Sequence, residues 1–191
     1  MYMEIIGFIL GLLYLWLEVR GSIHLWIVGA IMPIVYAYVY FDAGLYADCG
    51  IQIYYVLAAI YGWIVWKIGK GEQQQPLPIS NTPKSVIAPL CIVTLLCFAL
   101  LAWILIHFTD SNVPYLDAFT TALSITAMWM LSRKYIQQWL VWCCVDAIYV
   151  GLYIYKNLYP TALLYAIYTI IAVYGYYQWK KELHLNPQSD L

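Results

Sequence analysis

Tyr61-Gly-Trp-Ile-Val-Trp-Lys67 returns 113 residues later as Tyr174-Gly-Tyr-Tyr-Gln-Trp-Lys180, with Tyr, Gly, Trp and Lys at matching positions. The correspondence extends without a gap through the residues before both segments. The further matching pairs are Trp16/Trp129, Arg20/Arg133, Ile23/Ile136, Trp26/Trp139, Val28/Val141, Tyr36/Tyr149, Tyr40/Tyr153, Leu45/Leu158, Tyr46/Tyr159, Tyr55/Tyr168 and Ala59/Ala172. In an apolar chain, a duplication of this size predicts a membrane transporter of two similar halves, with its substrate bound where they meet.

The composition argues against a soluble protein. Hydrophobic residues make up 64% of the 191 residues and charged residues only 10%, whereas soluble domains contain about 25% charged residues. The net charge of −1 provides no basic surface for nucleic acid. The five cysteines and three histidines lack metal-ligand spacing, and the sequence has no phosphate-binding loop or Ser–His–Asp pattern. We therefore expect a protein of the lipid bilayer that is not an enzyme and has no metal or cofactor.

Hydropathy predicts an all-α integral membrane protein with seven transmembrane helices, at about 4–19, 24–41, 50–66, 86–107, 116–132, 136–155 and 160–179. The predicted parts are a first three-helix repeat (1–67), a polar cytoplasmic linker (68–85), a connecting transmembrane helix (86–110), a second three-helix repeat (111–180) and a cytoplasmic tail (181–191). The linker is predicted to be flexible and solvated. Because the single connecting helix returns the chain across the bilayer, both repeats insert in the same direction, giving a 3+1+3 parallel, SWEET-like bundle.

The basic residues predict an orientation. Eight of the nine Lys and Arg residues fall on one face of the predicted bundle, namely Arg20, Lys67, Lys70, Lys84, Arg133, Lys134, Lys180 and Lys181, whereas Lys156 falls on the other. Short loops rich in Lys and Arg stay in the cytoplasm. The N-terminus is therefore expected outside the cytoplasm and the C-terminus inside.

Asp146 is the leading candidate for substrate binding. It lies about ten residues into the sixth predicted helix, where a carboxylate is costly and is usually retained for function. Trp142 and Tyr149 share its helical face. An acid between two aromatic rings is suited to a flat organic cation, because the rings add cation–π attraction to the counter-charge. Two alternatives remain: a protonated Asp hydrogen-bonded to a neighbouring helix, and a carboxylate in a proton relay.

Weaker candidates occur in both repeats. Glu18, near the end of the first helix, is either a second negative group in the cavity or an interfacial carboxylate. Gln52 and Tyr55 share a face of the third helix, and either bind a heterocycle or join helices. Tyr36 and Tyr168 complete the predicted set. Pro33, at the repeat position of Asp146, is predicted to interrupt the second helix and permit a bend.

The segments Leu45-Tyr-Ala-Asp48 with Gln52, Tyr61–Trp66 and Ser132-Arg-Lys-Tyr-Ile-Gln-Gln-Trp-Leu-Val-Trp142 resemble the PnuC-like vitamin transporter family. The resemblance extends from Glu4 to Lys180. It implies a seven-helix SWEET-like fold and a homotrimer in the bacterial inner membrane. It also implies uptake of an unphosphorylated vitamin by facilitated diffusion, with a cytosolic kinase that traps the product.

Departures from the family pattern bear on the substrate. Where riboside-type members have Trp-x3-Asn, this chain has Trp142-Cys-Cys-Val-Asp146, and Met32 and Ala59 replace asparagines of that type. Fewer amides for a ribose and more negative charge favour thiamine, as in the thiamine-type PnuT members. Nicotinamide riboside is the principal alternative, followed by another flat vitamin. A proton-coupled carrier using Asp146, and a sensor that binds without transporting, are the alternatives in mechanism.

Overall fold

The computed structural model describes residues 2–42, 46–68, 77–109, 113–155, 157 and 159–185. Within these ranges the chain forms seven α-helices and no strands, which confirms the predicted all-α class and helix number. Tyr135 and Ser80 form an isolated backbone bridge. The helices are α1 (Tyr2–Val19), α2 (His24–Asp42), α3 (Tyr46–Ile68), α4 (Lys84–Phe108), α5 (Pro114–Ser132), α6 (Gln138–Tyr155) and α7 (Tyr159–Leu185).

The helix ends differ from hydropathy where polar residues continue or interrupt a helix. α7 extends to Leu185, six residues beyond the predicted end, because Lys180, Lys181 and Glu182 favour a helix although they do not favour lipid. α2 runs through Pro33, as the predicted helix over 24–41 does, and the bend at Pro33 stays a prediction.

Apolar side chains cover the outer surface of several helices. α4 and α6 are long and apolar enough to cross a membrane. Along α4 only Ala102 is buried, while its exposed side chains include Ile92, Leu95, Leu96, Leu100 and Trp103. A continuous surface of this kind is unfavourable in water and is suited to contact with lipid tails.

The first compact unit comprises residues 1–78 together with 132–134. In it α2 packs against α3, with the ring of Trp26 edge-on to Trp66 at a centroid distance of 5.5 Å. Gly62 lies directly against the ring of Trp26 and leaves no room for a Cβ atom. Close packing around a glycine is a common way for helices to associate in lipid.

Residues 132–134 are held in this unit by four side-chain contacts. The indole N–H of Trp66 donates a hydrogen bond of 3.0 Å to the carbonyl oxygen of Ser132. Lys134 Nζ lies 4.3 Å from the centroid of the Trp66 ring and donates to the carbonyl oxygen of Gly21. Arg133 donates to the hydroxyl of Tyr61. Both basic residues therefore have structural roles.

The second unit comprises residues 79–131 and 135–191, and its helix pair α6–α7 repeats the tryptophan contact. Trp139 and Trp179 lie edge-on at a centroid distance of 5.6 Å, and Gly175 lies against the ring of Trp139. On α4 and α5, Thr94 and Thr126 are hydrogen-bonded at 2.6 Å. The tryptophan and glycine positions that recur in the sequence thus make the same contact in each unit.

The turns after α1 and α5 are also equivalent. Gly21 and Lys134, which occupy matching repeat positions, have positive φ angles of 58° and 53°. Ser22 N donates to Leu17 O at 2.9 Å, and Tyr135 N donates to Met130 O at 3.0 Å. This hydrogen bond is characteristic of the Schellman motif that ends a helix.

The end of the linker is anchored by hydrogen bonds. Gln137 Oε1 accepts hydrogen bonds from the backbone N–H and the hydroxyl of Thr82, at 2.8 and 2.9 Å, and Gln137 Nε2 donates to Asn81. Ile136 N donates to Ser80 O just before α6 begins at Gln138. Residues 80–82 of the predicted linker are therefore held by hydrogen bonds, although Asn81 is exposed. Residues 69–76 lie outside the described part of the chain, and the flexible, solvated character of the linker stays a prediction.

The glycine contact in the second unit is testable by substitution. In Gly175→Ala the new Cβ would lie 2.7 Å from the ring of Trp139, which is buried against Trp179. We expect a loss of about 1–3 kcal/mol in stability, the usual cost of overpacking, measured by thermal unfolding of the purified protein. Gly151→Ala is the matched control, because its Cβ has nothing within 4 Å and should be neutral or stabilising by about 0.5–1 kcal/mol. Equal unfolding temperatures for the two variants would contradict the packing role.

Candidate substrate-binding site

Asp146 is a buried carboxylate within α6. It lies eight residues after the first residue of the helix, and only 7% of its surface is exposed. Its neighbours along the helix are apolar or aromatic, with Val145 almost fully buried beside it. A carboxylate in such surroundings is costly to keep. Its burial therefore favours a role in binding or proton transfer over a surface role.

Four tyrosines from α6 and α7 form a cluster, which we call the tyrosine cluster: Tyr149, Tyr153, Tyr165 and Tyr168. The ring of Tyr165 is 4.9 Å from that of Tyr149, 5.3 Å from that of Tyr153 and 5.6 Å from that of Tyr168, between centroids. Tyr153 and Tyr165 are stacked, with an interplanar angle of 22°.

Asp146 interacts electrostatically with three members of the tyrosine cluster. The carboxylate lies within electrostatic range of the hydroxyl groups of Tyr149, Tyr165 and Tyr168. Thr120 and Asp117 of α5 are also within interaction range of Tyr149. The site thus combines carboxylates with electron-rich rings. This arrangement attracts a flat cation, and a cation–π contact contributes about 2 kcal/mol or more where water is excluded.

The structure brings together part of the predicted set. Asp146, Tyr149 and Tyr168 lie in the arrangement just described. Trp142 is half-buried one helical turn before Asp146, and its indole N–H is buried with no hydrogen-bond partner among the described residues.

The other predicted residues belong to the first unit. Glu18 is buried near the end of α1, within electrostatic range of Tyr14. Gln52 and Tyr55 are half-buried on α3, where the ring of Tyr55 is 5.6 Å from that of Tyr54. Tyr36 belongs to α2, but its side chain lies outside the described part of the structure.

Sequence reasoning omitted Tyr153 and Tyr165 from the site. Tyr149 and Tyr153 are four residues apart, and Tyr165 and Tyr168 are three apart, so each pair shares a helical face. Tyr165 also stands where the first repeat has Gln52. The tyrosine spacing along each helix, and the tyrosine in place of Gln52, are the sequence features that could have indicated the cluster. Its formation depends in addition on the packing of α6 against α7.

The described residues offer no alternative metal chemistry. Within ranges 2–42, 46–68, 77–109, 113–155 and 159–185, no three His, Cys, Asp or Glu side chains converge as metal ligands. Cys143 and Cys144 are unpaired cysteines on α6.

The family model described as "nicotinamide mononucleotide transporter" matches residues 1–181. The chain belongs to this family. It is therefore a helical membrane protein of a transporter family rather than an enzyme family, which confirms the PnuC-like resemblance.

Several proteins named as vitamin transporters are similar to this chain over most of its length. The nicotinamide riboside transporter PnuC of Escherichia coli (strain K12) is 27% identical over 93% of this chain and 84% of its own length. The riboflavin/roseoflavin transporter RibM of Streptomyces davaonensis is 25% identical, over 92% and 83%. A crystal structure of the vitamin B3 transporter PnuC has the same fold, with a TM-score of 0.70 and 24% identity over 93% of this chain and 80% of that one. These names support the expected alternative, nicotinamide riboside, better than thiamine, and they give no support to the thiamine-type assignment.

The role of Asp146 is testable by removing its charge. Asp146→Asn keeps the size of the side chain, and we expect binding of a cationic vitamin to weaken by about 1–3 kcal/mol, or roughly 5- to 150-fold in Kd. Titration calorimetry of the purified protein measures the change. Glu182→Gln, near the end of α7, is the control for loss of one negative charge and should bind normally. Wild-type affinity in a folded Asp146→Asn variant would remove Asp146 from the site.

Proposed function

We propose that this protein imports an unphosphorylated, flat, cationic vitamin by facilitated diffusion, and that nicotinamide riboside is its principal substrate. The observation that carries the proposal is the buried Asp146 carboxylate beside the tyrosine cluster, in a chain whose family model matches residues 1–181. The names of the PnuC relatives support the choice of vitamin.

The charges at the site favour a nucleoside over a nucleotide. Asp146 acts on Tyr149, Tyr165 and Tyr168, and Asp117 acts on Tyr149. A pyridinium ring would gain from these carboxylates and from stacking on tyrosine rings. A phosphate group would bring two negative charges towards them, and like charges at close range are unfavourable. The mononucleotide in the family description is for this reason not the proposed cargo.

Thiamine is the second candidate. Its thiazolium ring supplies a cation without a ribose, and the family resemblance implies asparagine in riboside-type members where this chain has Asp146, Met32 and Ala59. These exchanges remove amide groups that suit a sugar. They favour thiamine as the alternative substrate, because the Asp146 carboxylate remains to bind its cationic ring.

The topology and assembly are proposed on the same basis. Equivalent tryptophan contacts in the two units and equivalent turns support a 3+1+3 arrangement of parallel, SWEET-like repeats. The distribution of Lys and Arg supports an N-terminus outside the cytoplasm and a cytoplasmic C-terminus. The family resemblance supports a homotrimer in the bacterial inner membrane. It also supports metabolic trapping by a cytosolic kinase.

Uptake into vesicles tests this function. Labelled nicotinamide riboside is added to vesicles containing the purified protein, with or without an enclosed nicotinamide riboside kinase, ATP and Mg²⁺. We expect equilibration without the kinase and accumulation with it, because the carrier itself supplies no driving force. Unlabelled nicotinamide riboside should compete, and nicotinamide mononucleotide should not.

Other results would select among the alternatives. Entry of labelled thiamine but not of nicotinamide riboside would replace the principal substrate by the second candidate. Accumulation driven by an imposed pH gradient, without a kinase, would establish a proton-coupled carrier. Binding without entry of any vitamin would indicate a sensor and would overturn the transport proposal.

A further inference from the structure

Gln138 is a buried glutamine whose amide has no partner. Its side chain is 0% exposed, and neither Oε1 nor Nε2 has a hydrogen-bond partner among the described residues. A buried amide without hydrogen bonds is unfavourable, because it loses its hydrogen bonds to water on folding and forms none within the protein. Such a group calls for an explanation other than packing.

The first repeat shows that this position does not require a polar side chain. The matching residue is Leu25, which is also 0% exposed. The local backbone is the same, because Leu25 N donates to Ser22 O and Gln138 N donates to Tyr135 O, both at 3.1 Å. Leucine and glutamine have similar volumes. A leucine at residue 138 would therefore fill the space without an unsatisfied amide.

Gln138 lies in line with Trp142 and Asp146. The three residues are spaced by four along α6, so they follow one another on the same helical face. The indole N–H of Trp142 is likewise buried without a partner among the described residues. At a rise of about 1.5 Å per residue, Gln138 and Asp146 are about 12 Å apart along the helix.

We propose that the side-chain amide of Gln138, two helical turns from Asp146, forms hydrogen bonds with the heterocycle edge of the transported vitamin. Its Oε1 accepts from an amide or amino N–H, and its Nε2 donates to the adjacent carbonyl oxygen or ring nitrogen. The carboxamide of nicotinamide riboside and the aminopyrimidine of thiamine both present this donor–acceptor edge. The inference rests on the proposed function, and it adds a specificity residue that the charge of the substrate does not explain.

Gln138→Leu tests these hydrogen bonds, because it replaces the amide by leucine, the residue at the matching position of the first repeat. Affinity of the purified full-length protein is measured for nicotinamide riboside and for 3-acetylpyridine riboside, whose methyl ketone keeps the acceptor and lacks the N–H donors. Thiamine and oxythiamine, in which a 4-oxo group replaces the amino group, form the second pair. Thermal unfolding is followed for each variant.

We expect the wild-type protein to bind nicotinamide riboside more tightly than 3-acetylpyridine riboside, or thiamine more tightly than oxythiamine. The expected ratio of Kd values is about ten, which corresponds to one hydrogen bond. In Gln138→Leu this ratio should fall to about one, while the unfolding temperature rises because the unsatisfied amide is gone. Gln138→Met, which keeps an unbranched side chain, replaces the leucine variant if the latter does not fold.

Two results would overturn the inference. A ratio that is unchanged in Gln138→Leu, with or without a general loss of affinity, would show that Gln138 does not contact the heterocycle edge. Wild-type protein that binds none of the four compounds would instead overturn the proposed function, and the inference with it. The two failures are distinguished by the wild-type measurement alone.

Discussion

The fold depends on a tryptophan ring packed against a glycine, once in each unit. Trp26 lies against Gly62 and Trp139 against Gly175, and each ring also lies edge-on to a second tryptophan. In lipid the hydrophobic effect does not draw helices together, so association depends on close van der Waals packing and on hydrogen bonds. Glycine permits that approach and the large ring fills it. The Trp66 indole N–H adds a hydrogen bond to Ser132, which fixes the turn after α5 in the first unit.

Most of the fold was predictable, because hydropathy and the repeat report on local properties of the chain. Seven apolar segments predicted seven helices, and the recurrence of Trp26, Gly62 and their counterparts indicated equivalent packing. The anchored linker was not predictable, because Gln137 and Thr82 are 55 residues apart and no local pattern pairs them. The end of α7 was missed because hydropathy marks where a helix leaves lipid, whereas the backbone remains helical to Leu185.

The candidate site was predictable to the extent that a buried charge is conspicuous. Asp146 was evident from sequence, and the spacing of α6 placed Trp142 and Tyr149 beside it. The tyrosine cluster required the packing of α6 on α7, which brings Tyr165 against Tyr149 and Tyr153. The repeat also locates the differences between the halves. Asp146 replaces Pro33, Tyr165 replaces Gln52 and Gln138 replaces Leu25, so three exchanges fall on one helix pair. The repeated tryptophan and glycine positions pack helices. The exchanged positions lie on the helix pair that also carries the repeated Tyr149, Tyr153 and Tyr168, and they make that pair suited to a ligand that has no symmetry of its own.

The central claim is that the vitamin binds at Asp146 and the tyrosine cluster. A structure of the protein with bound nicotinamide riboside or thiamine tests it most directly. The account predicts that the cationic ring lies within contact distance of the Asp146 carboxylate and against the rings of Tyr149 and Tyr165. A vitamin bound against Glu18 and Gln52, with no contact to α6 or α7, would contradict the account.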